Sequence, residues 1–104
     1  MWLHAVVSST SVESISLEAA ATAFSALSDP VRLRILGELA GGERCVCRLL
    51  EQIDVAPNLV SYHLRVLREA GLVSASRRGR WVDYRLADDA LTALRAAIPA
   101  ASPS

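Results

Sequence analysis

The chain has 104 residues, of which 52% are hydrophobic and 21% charged, and its formal net charge is zero. This length suits one compact domain and is too short for two separate cores. A zero net charge gives no general attraction to nucleic acid, and the sequence shows neither a basic leader peptide nor an apolar run long enough to span a membrane. We therefore expect a cytoplasmic protein without a membrane partner.

The charges are distributed unevenly along the chain. Residues 1–56 carry four Arg and seven acidic residues, whereas residues 57–86 carry six Arg and only two acidic residues. Every basic residue is Arg, whose planar guanidinium pairs well with phosphates and guanine edges, although a compositional bias of the source genome would explain the absence of Lys equally well. Any attraction to nucleic acid is predicted to reside in residues 57–86.

The first half of the chain predicts an arm and three helices. Residues 1–14 are Ser-rich without a clear period, which indicates a flexible N-terminal arm. An Ala-rich run from Leu17 to Leu27 has the apolar spacing of a helix, and Ser28-Asp29-Pro30 ends it and caps a second helix that stops at Gly41-Gly42. A third, short helix is predicted from Cys45 to Gln52.

The second half predicts a long helix, a hairpin and a last helix. The fourth helix begins near Pro57 and ends before Gly71, which suits a left-handed C-terminal cap. Alternation with a period of two then predicts a two-stranded hairpin over residues 73–86, with its turn at Arg78-Gly79. The last helix begins at Asp88-Asp89, interpreted as N-terminal caps, and residues 99–104 are predicted to be a disordered tail.

Two short helices joined by a tight turn and followed by a hairpin are typical of a winged helix-turn-helix. The predicted fold is therefore mainly α with a small β-hairpin, in the order α-α-α-α-β-β-α, forming one DNA-binding domain over residues 15–98. We expect the domain to be completed by self-association into a dimer.

The fourth helix has one narrow polar face. At about 100° per residue, five side chains that can bond base edges and phosphates share this face: Asn58, Ser61, Tyr62, Arg65 and Arg68. The hairpin tip adds three arginines where a wing would meet the DNA backbone: Arg77, Arg78 and Arg80. A solvated surface would explain such a face on an arbitrary helix, but the preceding short helix and the following hairpin favour DNA binding.

The opposite face of the fourth helix is predicted to be core. It consists of Leu59, Val60, Leu64, Val66 and Leu67, with His63 in its middle. We therefore interpret His63 as a packed residue and not as a metal ligand.

Cys45 and Cys47 are the only two cysteines of the chain. On an ideal helix their sulfurs would flank the apolar stripe on opposite sides, too far apart to bond one ion at about 2.3 Å each. Chelation by both would require the first turn of the third helix to unwind, which would couple ion binding to DNA binding. A disulfide is not expected, because a reducing cytosol and the one-residue separation both oppose it, so the thiols are predicted to be free, buried or metal-bound.

Four segments together resemble the ArsR/SmtB family of bacterial metal-responsive repressors: Leu27–Leu36, Cys45–Leu49, Ser61–Val73 and Gly79–Leu86. The resemblance covers about residues 17–98. It implies a homodimer, joined through its first and last helices, that occupies double-stranded operator DNA until a metal ion releases it. It also implies that Cys45 and Cys47 bind As(III) or Sb(III), supplied as arsenite or antimonite.

The sequence departs from the family pattern in its ligands. Leu50, interpreted as a core residue, stands where arsenite repressors often have a third Cys, and the arm offers only His4 where cadmium and lead sensors supply cysteines. The third ligand is then a hydroxide, a small thiol or His4 of the partner subunit. A zinc site in the last helix is rejected, because that helix has no His.

Several alternatives to an arsenic sensor stay open. Hg(II) can be bound by two thiolates alone, and Cd(II) and Pb(II) are further candidate ions. The cysteine pair could instead be a redox switch or an inert pair in a metal-independent repressor, or the chain could be a helical interaction module without a DNA role. No constellation of base, nucleophile and oxyanion donors is visible, so the chain is not predicted to be an enzyme.

Overall fold

The computed structural model describes residues 15–102, so the predicted arm at 1–14, including His4, and the last two residues of the predicted tail lie outside the described residues. The described elements follow the predicted order with one addition: α1 (Leu17–Ala26), α2 (Pro30–Leu39), β1 (Arg44–Cys45), α3 (Val46–Gln52), α4 (Pro57–Glu69), β2 (Val73–Arg78), β3 (Trp81–Leu86) and α5 (Asp88–Ala96). The helix-turn-helix is formed by α3 and α4, and β2 and β3 form the wing. Across residues 15–102, the helices are too short or too polar to cross a bilayer.

The addition is a third strand in the sheet, whose order is β1-β3-β2. Both contacts are antiparallel, and β1 pairs Arg44 with Tyr84 and Cys45 with Asp83. A strand of two residues shows no alternation in the sequence, which explains why only a two-stranded hairpin was predicted. The consequence for the site is that Cys45 belongs to the sheet, and that α3 begins at Val46.

Asp29 starts α2 as predicted. Its Oδ1 accepts the N–H of Val31 at 2.8 Å and that of Arg32 at 3.4 Å, and Pro30 occupies the first turn. Burial by itself would raise the pKa of Asp29, but these two N–H donors, assisted by the nearby charge of Arg32, hold that pKa below its ordinary value. The carboxylate therefore stays ionised as the cap of α2.

The start of α5 differs from the prediction. Its N-cap is Ala87, without a side-chain hydrogen bond, and Asp88 and Asp89 lie in the first turn. The interpretation of the two aspartates as caps was therefore wrong. Their negative charges still stabilise this end of the helix through its dipole.

Gly71 joins α4 to the wing. It has φ +79°, as predicted for a left-handed cap. The N–H of Gly71 donates to the carbonyl of Arg68, and the N–H of Leu72 donates to that of Leu67, both at 2.9 Å, which is the Schellman pattern. The N–H of Ala87 donates in turn to the carbonyl of Leu72, so one residue connects the end of α4 with both ends of the hairpin.

The core lies among the helices and one face of the sheet. Its largest fully buried side chains are Ile35, Leu39, Leu49, Leu64, Leu67, Leu72, Val60 and Val73. The predictions for Leu59 and Leu50 were wrong, because these side chains are 46% and 37% exposed. Residues 60, 63, 64 and 67 alone form the buried face of α4, and Leu49 takes the core position of α3, which turns its neighbour Leu50 outward.

Candidate nucleic-acid interface and thiol site

A groove of about 320 Å³ lies between α4 and the wing. Its lining combines side chains of the helix and of both wing strands: Ser61, Arg65, Arg68, Ala75, Arg77, Val82 and Tyr84. Four of these residues were predicted to contact DNA, and the fold brings them together. Three guanidinium groups around one groove give a positive surface between a helix and a hairpin, which suits a DNA backbone.

The other predicted contact residues lie outside this groove. Asn58 is exposed in the first turn of α4, and Arg80 is exposed in the hairpin turn. Tyr62 is 45% exposed and lines a second cavity, against α1, while its ring lies 5.7 Å from the guanidinium carbon of Arg65. This distance is within the range of a cation–π contact, so Tyr62 helps to orient Arg65.

Arg78 has a partner within the wing. Its Nε and Nη2 donate to Oδ2 and Oδ1 of Asp83 at 3.0 and 3.1 Å. The hydrogen bond from Arg78 holds the pKa of Asp83 below its ordinary value, although burial opposes this, and the carboxylate in turn raises the pKa of Arg78. The fork geometry of guanidinium and carboxylate gives this contact two charge-assisted hydrogen bonds, which are stronger than neutral ones.

Tyr84 lines the groove, although it was not among the residues predicted to contact DNA. Alternation places it on the inner face of β3 beside Val82, and its ring is half-buried. Burial raises the pKa of Tyr84, and the nearby charge of Arg68 works in the opposite direction. The hydroxyl therefore stays protonated, and Tyr84 lines the groove together with three arginines, so it can donate a hydrogen bond to a phosphate oxygen bound there.

His63 is buried, as predicted, and it fixes the position of α4. The Nη1 of Arg32 lies 3.0 Å from the Nδ1 of His63, and the Nε of Arg32 donates to the carbonyl of Ala26 at 2.6 Å. Because guanidinium nitrogens only donate, Nδ1 of His63 accepts and the ring carries its proton on Nε2. Arg32 thus connects the end of α1 and the start of α2 to α4, called the reading helix because its exposed face carries the residues predicted to contact bases. No local sequence pattern reveals this role of Arg32.

Cys45 and Cys47 meet at the start of α3. Cys45 is the N-cap, in extended conformation, and its Sγ accepts the N–H of Cys47 at 3.2 Å. The two sulfur atoms are joined to each other as a disulfide. The expectation that they lie on opposite sides of a helix was wrong, because only Cys47 is helical and the extended backbone of Cys45 turns its side chain back over the first turn.

The two cysteines also lack a third protein ligand within the described part of the chain. No cluster of three or more His, Cys, Asp or Glu side chains in residues 15–102 is placed to hold a metal ion. As reduced thiolates, the two adjacent sulfurs could bond a single soft ion without the unwinding of α3 that the sequence interpretation required. The expected absence of a disulfide is contradicted as well, since the structure joins the sulfurs.

Comparison with known proteins places the chain among transcriptional regulators. Residues 29–75 match the family described as bacterial regulatory protein, arsR family. An uncharacterised HTH-type transcriptional regulator of Methanocaldococcus jannaschii is 41% identical over 73 residues, which cover 69% of this chain and 82% of that protein. The arsenical resistance operon repressor of Bacillus subtilis is 40% identical over 72 residues, covering 68% of this chain and 69% of the repressor.

A third relative is longer than this chain. The HTH-type transcriptional repressor SmtB of Mycobacterium tuberculosis is 46% identical over 72 residues, which cover 69% of this chain but only 53% of SmtB. The chain therefore spans about half the length of that repressor.

The solved structures agree with the fold. The homodimeric winged helix-turn-helix DNA-binding domain of a possible ArsR-family regulator from Mycobacterium bovis superposes with a TM-score of 0.68 at 36% identity, covering 76% of each chain. The order of elements, the groove between α4 and the wing, and the sequence matches lead to one assignment. The chain belongs to the arsR family of bacterial regulatory proteins, as a winged helix-turn-helix transcriptional regulator and not an enzyme.

Proposed function

We propose that two copies of this chain form a cytoplasmic repressor that binds double-stranded operator DNA through α4 and the wing, and leaves it when a thiophilic ion bonds Cys45 and Cys47. The observation that carries the proposal is the juxtaposition of the two sulfurs at the start of the helix that precedes α4. As(III) or Sb(III) is favoured, since a relative at 40% identity is an arsenical resistance repressor. Hg(II), Cd(II) and Pb(II) are the alternative effectors.

The donor set suits a soft ion. Two adjacent thiolates prefer soft ions over the hard cations that carboxylates bind. The third ligand is a hydroxide, a small thiol or His4 of the partner subunit, and His4 lies outside the described residues. The site requires reduced thiols, so the disulfide form of the same pair cannot accept the ion.

The position of the sulfurs couples them to the reading helix. Sγ of Cys45 caps α3 by accepting the N–H of Cys47, and a bond from this sulfur to an ion competes for the same lone pairs. Leu49 anchors α3 in the core, and a turn of a few residues leads directly to α4. A shift of α3 therefore displaces α4, and a coupling of about 1–3 kcal/mol suffices for release.

The dimer is proposed to form through the first and last helices. In the single chain, α1 and α5 pack against each other. Leu17 at the start of α1 is 84% exposed and Ile98, just after α5, is 61% exposed, which is unusual for large apolar side chains. Burial of this surface against a second copy would place two α4 helices on successive turns of one face of the DNA.

The dimer surface is tested by exchanging apolar for charged side chains. Leu17→Glu and Ile98→Glu should shift the sedimentation of the protein from dimer to monomer and weaken binding to a two-half-site operator. Leu33→Glu is a matched control, because Leu33 is also a large exposed apolar residue but belongs to α2, outside the two helices proposed to form the interface. A monomeric wild-type protein that binds operator with full affinity would contradict this part of the proposal.

The effector is tested by titrating reduced protein on a fluorescent operator duplex with arsenite, antimonite, Hg(II), Cd(II), Pb(II) and Zn(II) in parallel. We expect a thiophilic ion to lower the operator affinity. The Cys45→Ser/Cys47→Ser double variant should bind operator as the wild type does and should not respond to the ion. Release that persists in the double variant would place the sensor elsewhere.

A redox switch is the second candidate, and the disulfide between the two sulfurs specifically favours it. Hydrogen peroxide would take two electrons and two protons from the two thiols, forming the disulfide and two molecules of water. If peroxide changes operator affinity, dithiothreitol reverses the change and no ion in the panel has an effect, then the pair is a redox sensor. A response to ions only, with equal affinity of reduced and oxidised protein, eliminates this candidate.

A further inference from the structure

The thiol pair is connected to the wing as well as to α3. Cys45 is both the N-cap of α3 and a strand residue, and it lies directly opposite Asp83 of β3. Residues that face each other across antiparallel strands place their side chains on the same face of the sheet, with Cβ atoms about 4.5–5.5 Å apart. Any displacement of Cys45 therefore acts first on the strand position of Asp83.

Asp83 in turn holds the tip of the wing. Its side chain is 12% exposed, and both carboxylate oxygens bind the guanidinium of Arg78, the last residue of β2. Glu43, which immediately precedes β1, adds a second negative charge that acts on Arg78. A route thus leads from Cys45 across the strand pair to Asp83, and from the Asp83 carboxylate to Arg78, on the face of the sheet opposite the groove.

The strand that begins this route is easily moved. β1 consists of two residues, and it is joined to β3 by two residue pairs, whereas β2 and β3 share six. Tightening of Cys45 around an ion therefore disturbs the β1–β3 pairing before it disturbs the hairpin itself. Within the hairpin, the displacement acts on Asp83 and Tyr84, the two residues that pair with β1.

We propose that Asp83 is a positioning residue that passes the ligand state of the cysteine pair to the wing, by holding Arg78 when the thiols are free and loosening it when they bind an ion. The inference rests on the proposed function, since it names a second route for the same regulation. The first route, from α3 to α4, does not involve Asp83. The two routes can therefore be separated by changing this residue.

The test measures operator affinity with and without arsenite for reduced wild type, Asp83→Asn and Arg78→Gln. Asn keeps the size of Asp and removes its charge. We expect the arsenite-induced loss of affinity to shrink about threefold or more in each variant, in the range known for residues on a coupling route. The double variant should lose no more coupling than either single variant, because the two residues act as one contact.

Controls separate coupling from folding and from ion binding. Glu38→Gln, at a carboxylate of α2 that lies outside the wing, α3, α4 and the proposed dimer helices, should keep the wild-type response. Ion binding without DNA, followed by thiolate absorbance in the ultraviolet, should be the same in all variants, and circular dichroism should show the same fold. Arg78→Gln keeps the test valid if Asp83→Asn folds poorly, since Arg78 is 64% exposed.

The outcomes distinguish the inference from the function on which it rests. If wild type and both variants lose affinity for operator by the same factor, the route through Asp83 is wrong and the repressor function stands. If the wild type binds arsenite and keeps its operator affinity, both are wrong. A smaller response confined to the Asp83 and Arg78 variants supports the inference.

Discussion

Arg77 and Arg78 are neighbours in the sequence, yet the wing turns them to opposite faces of its sheet. Arg77 lies in the groove with Arg65 and Arg68 of the reading helix, whereas Arg78 is bound by Asp83 on the face that carries Cys45. Strand alternation thus places one of two identical side chains in the groove that is proposed to bind DNA and the other in a structural contact. The difference shows that an arginine-rich wing tip does not by itself tell which arginine meets a phosphate.

The largest effect is expected on the groove side. Arg65→Ala should weaken operator binding by about 1–3 kcal/mol, because it removes a guanidinium from the middle of the reading face. Fluorescence anisotropy with operator and with unrelated duplex measures the change. Arg34→Ala, at an exposed arginine of α2 outside the groove, is the matched control and should have no effect; unaltered binding of the Arg65 variant would remove the groove from the DNA interface.

The two wing arginines should differ in their dependence on salt. Arg77→Ala should reduce the slope of log affinity against log salt by about 0.9, the amount expected for one lost phosphate contact. Arg78→Ala should leave that slope unchanged, since in the wild type the guanidinium of Arg78 is paired with the carboxylate of Asp83. Equal reductions of the slope in both variants would mean that Arg77 and Arg78 contribute equally to phosphate binding.

The turn between β2 and β3 depends on the left-handed backbone of Gly79. Gly79 has φ +62°, and a Cβ built there meets nothing within 4 Å, so Gly79→Ala carries only the cost of the left-handed backbone. We expect about 1–2 kcal/mol lower stability, measured by urea unfolding. Gly37→Ala on α2, where a Cβ also meets open space, is the control and should not destabilise the protein.

The smallest effect should appear in acid. The hydrogen bond from Arg78 lowers the pKa of Asp83, so the contact adds stability above the unfolded pKa near 4 and loses it as the pH falls through the lower folded value. The stability difference between wild type and Asp83→Asn should therefore be constant near neutral pH and shrink below about pH 4. A constant difference down to pH 2 would show that the charge of Asp83 contributes nothing.

Periodicity in the sequence predicted most of the fold but not the geometry of the cysteine pair. The left-handed Gly71, the cap at Asp29 and the packed His63 follow from local patterns, and the structure confirms each. The position of Cys45 does not, because its extended backbone depends on pairing with a strand almost forty residues further along the chain. A helical projection that began at Cys45 therefore separated two sulfurs that the fold brings together.

The contact residues show the same limit. Helical spacing found Ser61, Arg65 and Arg68, since all three lie on one regular helix. Helical spacing could not show that Arg78 donates hydrogen bonds to Asp83 or that Arg32 donates to His63, because these pairs join residues of different elements. Helical spacing also predicted that Leu59 is buried. This prediction was wrong, because the width of the buried face of α4 is set by the elements packed against it and not by the sequence of α4 alone.

The hydrogen bonds around Gly71 and Leu72 have a consequence for the thermodynamics of DNA binding. Because the end of α4, the start of β2 and the end of β3 are fixed to one another through two consecutive residues, the reading helix and the wing approach the duplex as one rigid unit. Little conformational entropy then remains to be lost when they dock. The heat capacity change of operator binding should accordingly reflect surface burial, with little contribution from the ordering of the chain.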